Sequence, residues 1–181
     1  MKVEIITPYT KDRESMMDNL CAMVQAQDYP CTWAISDLNM SIGAKLNNMI
    51  TSSRADIYIR MDSDDVYAPD WVSKSVAFLT ASKGNCTGLS KAYFKSETEW
   101  YLYQAQENAQ PYVCGATMCF YRSLWQQNKF RDISSGEDSH FQTNAIVRPH
   151  DYIDGFTAIL HGKNTASHLN LKCKEFTKLS R

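Results

Sequence analysis

The chain has 181 residues, 44% of them hydrophobic and 12% aromatic, with a formal net charge of -1. That is enough apolar material for one globular domain with a substantial core, and the near-neutral balance excludes nucleic-acid binding through bulk positive charge; there is no strong nucleic-acid signal. No apolar run approaches the roughly 20 residues that span a bilayer, and MKVEIITPYT reads as a strand rather than a signal peptide, so a cytoplasmic protein with no transmembrane segment is expected.

Val3 to Thr7 is a β-branched run stopped by Pro8, and Ser15 to Ala26 follows with Met17, Leu20, Cys21 and Val24 at helical spacing. Tyr29-Pro30 ends that helix. Cys31 to Ser36 reads as a second strand, and Ile42, Leu46, Met49 and Ile50 mark the buried stripe of a second helix. Ala55 to Met61 is the third strand, and Pro69 starts a helix in which Val72, Val76 and Leu79 share one face. Three strand-helix pairs at these spacings predict parallel strands joined by helical crossovers, an α/β sheet.

The second half is less regular. Tyr93-Phe94, Trp100 to Tyr103 and Val113 to Tyr121 read as strands or aromatic edges. Ser135-Gly136-Glu137-Asp138 puts two carboxylates just ahead of the helix-like stretch Phe141 to Ile146, and the run Thr157 to Leu160 delivers His161, followed by Gly162, to another strand end. Six cysteines without a CxxC pair indicate neither a zinc site nor a dithiol, and free, mostly buried thiols are expected. The sequons at Asn39 and Asn85 would matter only in a secreted protein.

In α/β sheets, ligands bind beyond the carboxyl ends of the strands. That rule selects the loops Pro8 to Arg13, Asp37 to Asn39, and Asp62-Ser63-Asp64-Asp65. Carboxylates repel one another, so the last cluster points to a positive partner. An EF-hand beginning at Asp62 would need Gly and Glu where Tyr67 and Ser73 stand, and a phosphatase-type DxDxT would need Thr at Val66. GxxxxGK[ST] and GxGxxG loops are absent. A divalent cation shared between carboxylates and a ligand's phosphates remains, an arrangement that suits Mg²⁺ or Mn²⁺.

The segments Gly43-Ala44-Lys45-Leu46-Asn47 and Ile57-Tyr58-Ile59-Arg60-Met61-Asp62-Ser63-Asp64-Asp65, then Pro69, closely resemble family 2 glycosyltransferases of the GT-A fold. Val3-Glu4-Ile5-Ile6-Thr7-Pro8-Tyr9 looks like that family's first strand and nucleotide loop, and Gly136-Glu137-Asp138 is similar to its late acidic motif. The resemblance runs over roughly residues 3 to 145. It implies a single GT-A domain over 1–181, Rossmann-like, with a mostly parallel central sheet flanked by helices. The nucleotide-binding half would be about 1–80, the acceptor-side half about 81–165, and the basic tail 166–181.

The resemblance also implies roles. Pro8, Tyr9 and Asp37 would line the base pocket, with Arg13, Asn47, Arg60 and Ser63 completing the nucleotide-sugar set. Asp64 would be the principal ligand of Mn²⁺ or Mg²⁺, Asp62 would touch ribose or metal, and His161 would complete the metal site. Asp138 would be the base that deprotonates the acceptor hydroxyl, supported by Glu137. The implied partners are a nucleotide-sugar donor, with UDP-sugar expected, and a glycan or other hydroxyl acceptor. The first loop, Tyr9-Thr10-Lys11-Asp12-Arg13, and the single Asp37 in place of an acidic pair depart from the family pattern and leave the nucleotide open.

Plainer roles compete with these. Asp65 is placed to cap the helix after Pro69, Glu137 and Asp138 to favour a helix N-terminus, Tyr9 and Asp37 to serve as turn residues, and His161 to be an ordinary surface histidine. Trp100, Tyr101 and Tyr103 read as a sugar-stacking wall or as packing. In the tail, Lys172, Lys174, Lys178 and Arg181 accompany Leu169, Leu171, Phe176 and Leu179, which suits a closing helix with a solvated face or a peripheral membrane contact. Beside the metal-dependent, inverting transferase stand an inactive nucleotide- or glycan-binding relative that needs a partner and, more weakly, a nucleotidyltransferase.

Overall fold

The computed structural model describes residues 1–105, 110–161, 164 and 175–180. The first strands run β1 Val3–Pro8, β2 Thr32–Ser36 and β3 Ile57–Arg60, with α1 Met17–Gln25 and α2 Ile42–Ser52 as crossovers; β1 lies parallel to both other strands and between them. The chain moves one way from β1 to β2 and then passes back over β1 to β3. The crevice outside the carboxyl ends of β1 and β3 is therefore the switch point where open α/β sheets bind ligands.

After the two-residue β4 Val66–Tyr67 come α3 Trp71–Ala81 and β5 Cys86–Leu89. The hairpin β6 Lys91–Lys95 and β7 Trp100–Gln104 leads through a 3-10 turn at Gly115–Thr117 to β8 Cys119–Tyr121. Then follow α4 Arg122–Gln127, α5 Glu137–Gln142, β9 Val147–His150, β10 Phe156–Ile159 and β11 Phe176–Leu179. The main sheet has the order β2-β1-β3-β8-β5-β9 and a smaller one the order β11-β7-β6-β10-β4. In the main sheet β8 alone runs against its neighbours, so the sheet is mostly parallel.

Strand alternation divides the core. Ile5, Ile57 and Ile59 face one side with Leu20, Trp71, Val72 and Leu79, whereas Ile6 and Tyr58 face the other with Leu46, Ile50, Phe120 and Phe141. Central strands covered on both faces are uniformly apolar. The first apolar layer continues into the second sheet through Ala92, Phe156 and Ala158. His150, at the edge strand β9, stacks on Phe78 with ring centroids 4.3 Å apart.

Helix α2 is capped by the Ser41 hydroxyl, which accepts from Ala44 N–H at 3.1 Å. Its first turn lies directly on the loop that leads to α5: a Cβ at Gly43 would stand 1.8 Å from the Arg131 carbonyl oxygen, and Gly43 N–H donates to Ile133 O at 3.1 Å. A glycine is required there by the close approach.

Three local expectations are corrected. Glu137 and Asp138 lie within the first turn of α5, not ahead of a helix beginning near Phe141. Asp65 caps no helix; α3 has Asp70 at its N-cap, and Asp65 accepts instead from Ile159 N–H at 3.0 Å, joining the acidic loop to β10. Phe176, Lys178 and Leu179 are not helical. They pair antiparallel with β7, whose free edge offers a ladder of hydrogen bonds, and Phe176 packs on Phe94 and Tyr103. Leu169, Leu171, Lys172, Lys174, Arg181 and Gly162 lie outside the described residues. Among the described residues no helix is long and apolar enough to cross a membrane.

Candidate functional site

Pro8 at the end of β1 and Arg13 beyond it, the acidic loop beyond β3, and Tyr112 to Ala116 ahead of β8 meet the start of α5 around a cavity of about 300 Å³. Six of the expected residues beyond Pro8 line it: Arg13, Arg60, Asp62, Asp64, Glu137 and Asp138.

Arg60 is the organiser of one wall. Its Nε and Nη2 donate to the two oxygens of Asp62 at 2.7 and 2.9 Å, and its Nη1 donates to Glu137 Oε1 at 2.9 Å. Burial opposes the guanidinium's charge, but Asp62 and Glu137 beside it outweigh that and raise its pKa well above the ordinary value. Burial also raises the Glu137 carboxyl, with Arg60 pulling the other way. Glu137 is thus a partner of Arg60 at the end of a core strand. The Asp62 N–H donates to the Tyr67 hydroxyl at 2.8 Å, and that hydroxyl donates to Ala116 O at 3.0 Å, fixing the loop against the 3-10 turn.

Asp64 Oδ2 is met by Arg13 Nη1 at 3.0 Å, His161 Nε2 at 2.9 Å and Asn164 Nδ2 at 3.3 Å. Burial, then the nearby Asp64 and Asp62, push the Asp65 carboxyl well above the usual range. Asp62, Asp64 and Asp65 can each offer an oxygen within 4.8 Å of the others. Such hard oxygen donors fit Mg²⁺ or Mn²⁺, and His161 stands beside Asp64 to add an imidazole nitrogen.

Across the cavity, Asp138 is held differently. Its Oδ2 accepts the Tyr112 hydroxyl at 2.7 Å and its Oδ1 accepts Ser139 N–H at 2.7 Å. The carboxylate rests on Gly115, where a Cβ would come within 2.5 Å of Oδ2. Tyr112 is positioned through its neighbour: Val113 N–H donates to Gln142 Oε1 at 2.8 Å, and Gln142 Nε2 donates to Val113 O at 2.9 Å. Gly136 opens α5 with φ 78°, a left-handed conformation that glycine adopts without strain.

The other expected residues are dispersed. Asp37 is exposed and lines a separate hollow with Thr10, Lys11 and Lys45. Tyr9 lies between the two, its carbonyl accepting from Lys45 Nζ at 2.6 Å and its N–H donating to Ser36 O at 2.9 Å. Ser63 turns away from the main cavity toward Met16, Asn19 and Ala22. Asn47 lies outside the lining of the main cavity. Its Oδ1 accepts from Trp125 Nε1 at 2.8 Å and Phe130 N–H at 3.2 Å, and its Nδ2 donates to Phe130 O at 2.8 Å. With both ends of the amide engaged, it anchors the chain after α4.

Of the aromatic trio, only Tyr103 reaches the main cavity, in a wall with Phe94 and Phe176. Trp100 packs edge-on against Tyr93, and Tyr101 donates its hydroxyl to Glu99. Tyr112, Asn164 and Lys45 were not singled out by sequence as site residues. Lys45 carried a signal, as a lysine inside an apolar helix stripe; it is 2% exposed, and burial lowers its pKa although Asp37 opposes this.

Comparison with curated proteins finds no match. Among solved structures, S. aureus TarS 1-349 in complex with UDP-GlcNAc superposes with a TM-score of 0.69 at 16% identity, covering 92% of this chain and 61% of that one. The mannosyltransferase PcManGT from Pyrobaculum calidifontis, in complex with GDP-Man and Mn²⁺, gives 0.65 at 14%, covering 92% and 59%. A197 from STIV gives 0.56 at 14%, covering 83% and 82%. This chain thus spans less than two thirds of the TarS and PcManGT chains it matches. At these identities the likeness establishes the fold, the GT-A arrangement. The model of the family described as Glycosyl transferase family 2 matches residues 12–150, well over half of the sequence, and the chain belongs to that family.

Proposed function

We propose that this chain is a metal-dependent, inverting glycosyltransferase that moves a sugar from a nucleoside-diphosphate donor, a UDP-sugar in the first instance, to a hydroxyl of a glycan or related acceptor. One observation carries the reading: a single cavity has the acidic cluster of Asp62, Asp64 and Asp65 on one side and Asp138, with its own hydrogen-bonded support, on the other.

In this reading Asp138 takes the proton from the acceptor hydroxyl as the oxygen attacks, a role that contributes about 10²- to 10⁴-fold. Tyr112 and Ser139 aim its carboxylate. Attack from the side opposite the leaving group inverts the anomeric carbon. Arg60 fixes Asp62 and Glu137 so that neither drifts into the acceptor space. A Mn²⁺ or Mg²⁺ ion, held by Asp64 and Asp62 with His161, would supply charge to offset the negative charge developing on the diphosphate. Arg13, in the wall of the same cavity, would face those phosphates, and Asp37, Tyr9 and Pro8 would flank the base. The five described cysteines are all free, in keeping with the cytoplasm as the proposed compartment.

A second reading, a nucleotide- or glycan-binding relative that needs a partner for turnover, is favoured by the pairing of the acidic cluster, in which Asp62 already holds Arg60 and Asp64 already holds Arg13. Release of nucleoside diphosphate from a panel of nucleotide sugars, with Mn²⁺, Mg²⁺ or chelator, separates the two. The transferase reading expects metal-dependent release that Asp64→Ala abolishes; binding without release for every donor selects the second reading, and equal release in chelator removes the metal from the first.

A further inference from the structure

Each of the two foremost carboxylates of the acidic cluster already has a cation. Asp62 spends both oxygens on the Arg60 fork, and Asp64 Oδ2 receives Arg13, His161 and Asn164 together. A carboxylate oxygen has two lone pairs, and the Arg13 guanidinium at 3.0 Å takes one of those on Oδ2 from an incoming metal. Both pairs are shielded from water: the side chains of Arg13 and Asp64 are 10% and 7% exposed, those of Arg60 and Asp62 7% and 19%. Charges so placed are poorly screened. A divalent ion arriving alone would stand close to two guanidiniums.

The two arginines are not equivalent. Arg60 is held from two sides, by Asp62 and Glu137, at the end of a core strand. Arg13 comes from the short 3-10 segment Lys11–Met16 just after β1 and meets Asp64 in the lining of the cavity. A guanidinium is also well matched to a diphosphate, which it can grip with two parallel hydrogen bonds.

We propose that Arg13 is the resident counter-ion of the metal position, so that the divalent cation binds strongly only together with a nucleoside diphosphate, to which the Arg13 guanidinium transfers from Asp64. This rests on the metal-dependent reading above. The incoming diphosphate brings the negative charge that the metal needs, and accepts the guanidinium that had blocked Asp64. Binding is thereby coupled: each ligand clears the way for the other, and the coupling is reciprocal.

The test is a titration with Mn²⁺ alone, then with UDP or GDP present, followed by the EPR signal of the free ion. Wild type is expected to bind Mn²⁺ at least about 10-fold more tightly with one of the nucleotides, within the usual range of coupling between sites. Arg13→Gln should bind Mn²⁺ alone roughly 5-fold more tightly than wild type and lose most of the coupling, whereas Arg13→Lys, which keeps the charge, should still bind it weakly. Wild type that binds Mn²⁺ equally well with and without either nucleotide overturns the role of Arg13 while leaving the metal reading intact, and this measurement stands even where a variant does not fold. A folded Arg13→Gln that gains no affinity for Mn²⁺ overturns it too. If Mn²⁺ binds under none of these conditions, the metal reading fails and takes the proposal with it.

Discussion

The Tyr112 hydroxyl donates a hydrogen bond to Asp138 Oδ2 at 2.7 Å, and the carboxylate so held packs against Gly115. Burial first, and then Asp138, raise the Tyr112 pKa far beyond the ordinary phenol, so the hydroxyl remains a donor throughout the working range. Tyr112→Phe removes the donor and little else. It is expected to lower the transfer rate about 10- to 100-fold, part of what a well-placed base contributes, with UDP affinity unchanged. Equal losses in binding and in turnover would assign Tyr112 to the architecture of the pocket instead.

Asp138→Asn keeps the shape but cannot take a proton, and it sets an NH2 group where one of the two accepting oxygens stood. Transfer should fall by about 10²- to 10⁴-fold, while nucleotide binding measured by calorimetry is retained. A variant that transfers sugar at the wild-type rate removes Asp138 from the role of base.

Asn47→Ala separates a structural amide from a ligand-binding one. Loss of its bonds to Trp125 and Phe130 should cost on the order of 2 kcal/mol in urea unfolding, because the indole N–H and the Phe130 backbone lose their partner. Nucleotide affinity of the folded variant should match wild type. A large loss of affinity with unchanged stability would restore Asn47 to the binding site.

His150 supplies a pH signature. Burial against Phe78 lowers its pKa from 6.5 to about 4, with Asp151 pulling weakly upward. Between those values the unfolded chain binds more protons than the folded one, so the stability His150 contributes is present above the window and is lost as pH falls through it. The limit is about 3 kcal/mol. Urea unfolding of wild type should show a fall between pH 7 and pH 4.5 (roughly the span of the linkage) that His150→Phe, which preserves the stack, reduces by about 2 kcal/mol. Superimposable pH profiles for the two proteins would mean that the histidine titrates alike in the folded and the unfolded chain.

The sequence was most legible where contacts are local. The alternation of Ile5, Ile6, Ile57, Tyr58 and Ile59 and the stripes of α2 and α3 carry the parallel half of the sheet, and the acidic loop follows from the end of β3. Legibility failed where the deciding partner is remote. Asp65 serves Ile159 rather than the helix a few residues away, and Asn47 serves Trp125 and Phe130. Strand β9 contains Pro149, tolerated because β9 is an edge, and β11 owes its conformation to the open side of β7. The aromatic wall of Phe94, Tyr103 and Phe176 is assembled from three strands, so no single stretch of sequence announces it.

Gly43 gives the molecule a constraint that imitates function. The Arg131 carbonyl occupies the space of its missing side chain, and the loop held there runs on through Ser134 and Ser135 to Glu137 and Asp138. Replacing Gly43 by alanine must push that loop outward and carry α5 with it, so sugar transfer should drop sharply even though residue 43 lies outside the cavity wall. A survey of every substitution along the chain would score this glycine beside the carboxylates, as a hinge pin is ranked with the door's lock because the door fails without either.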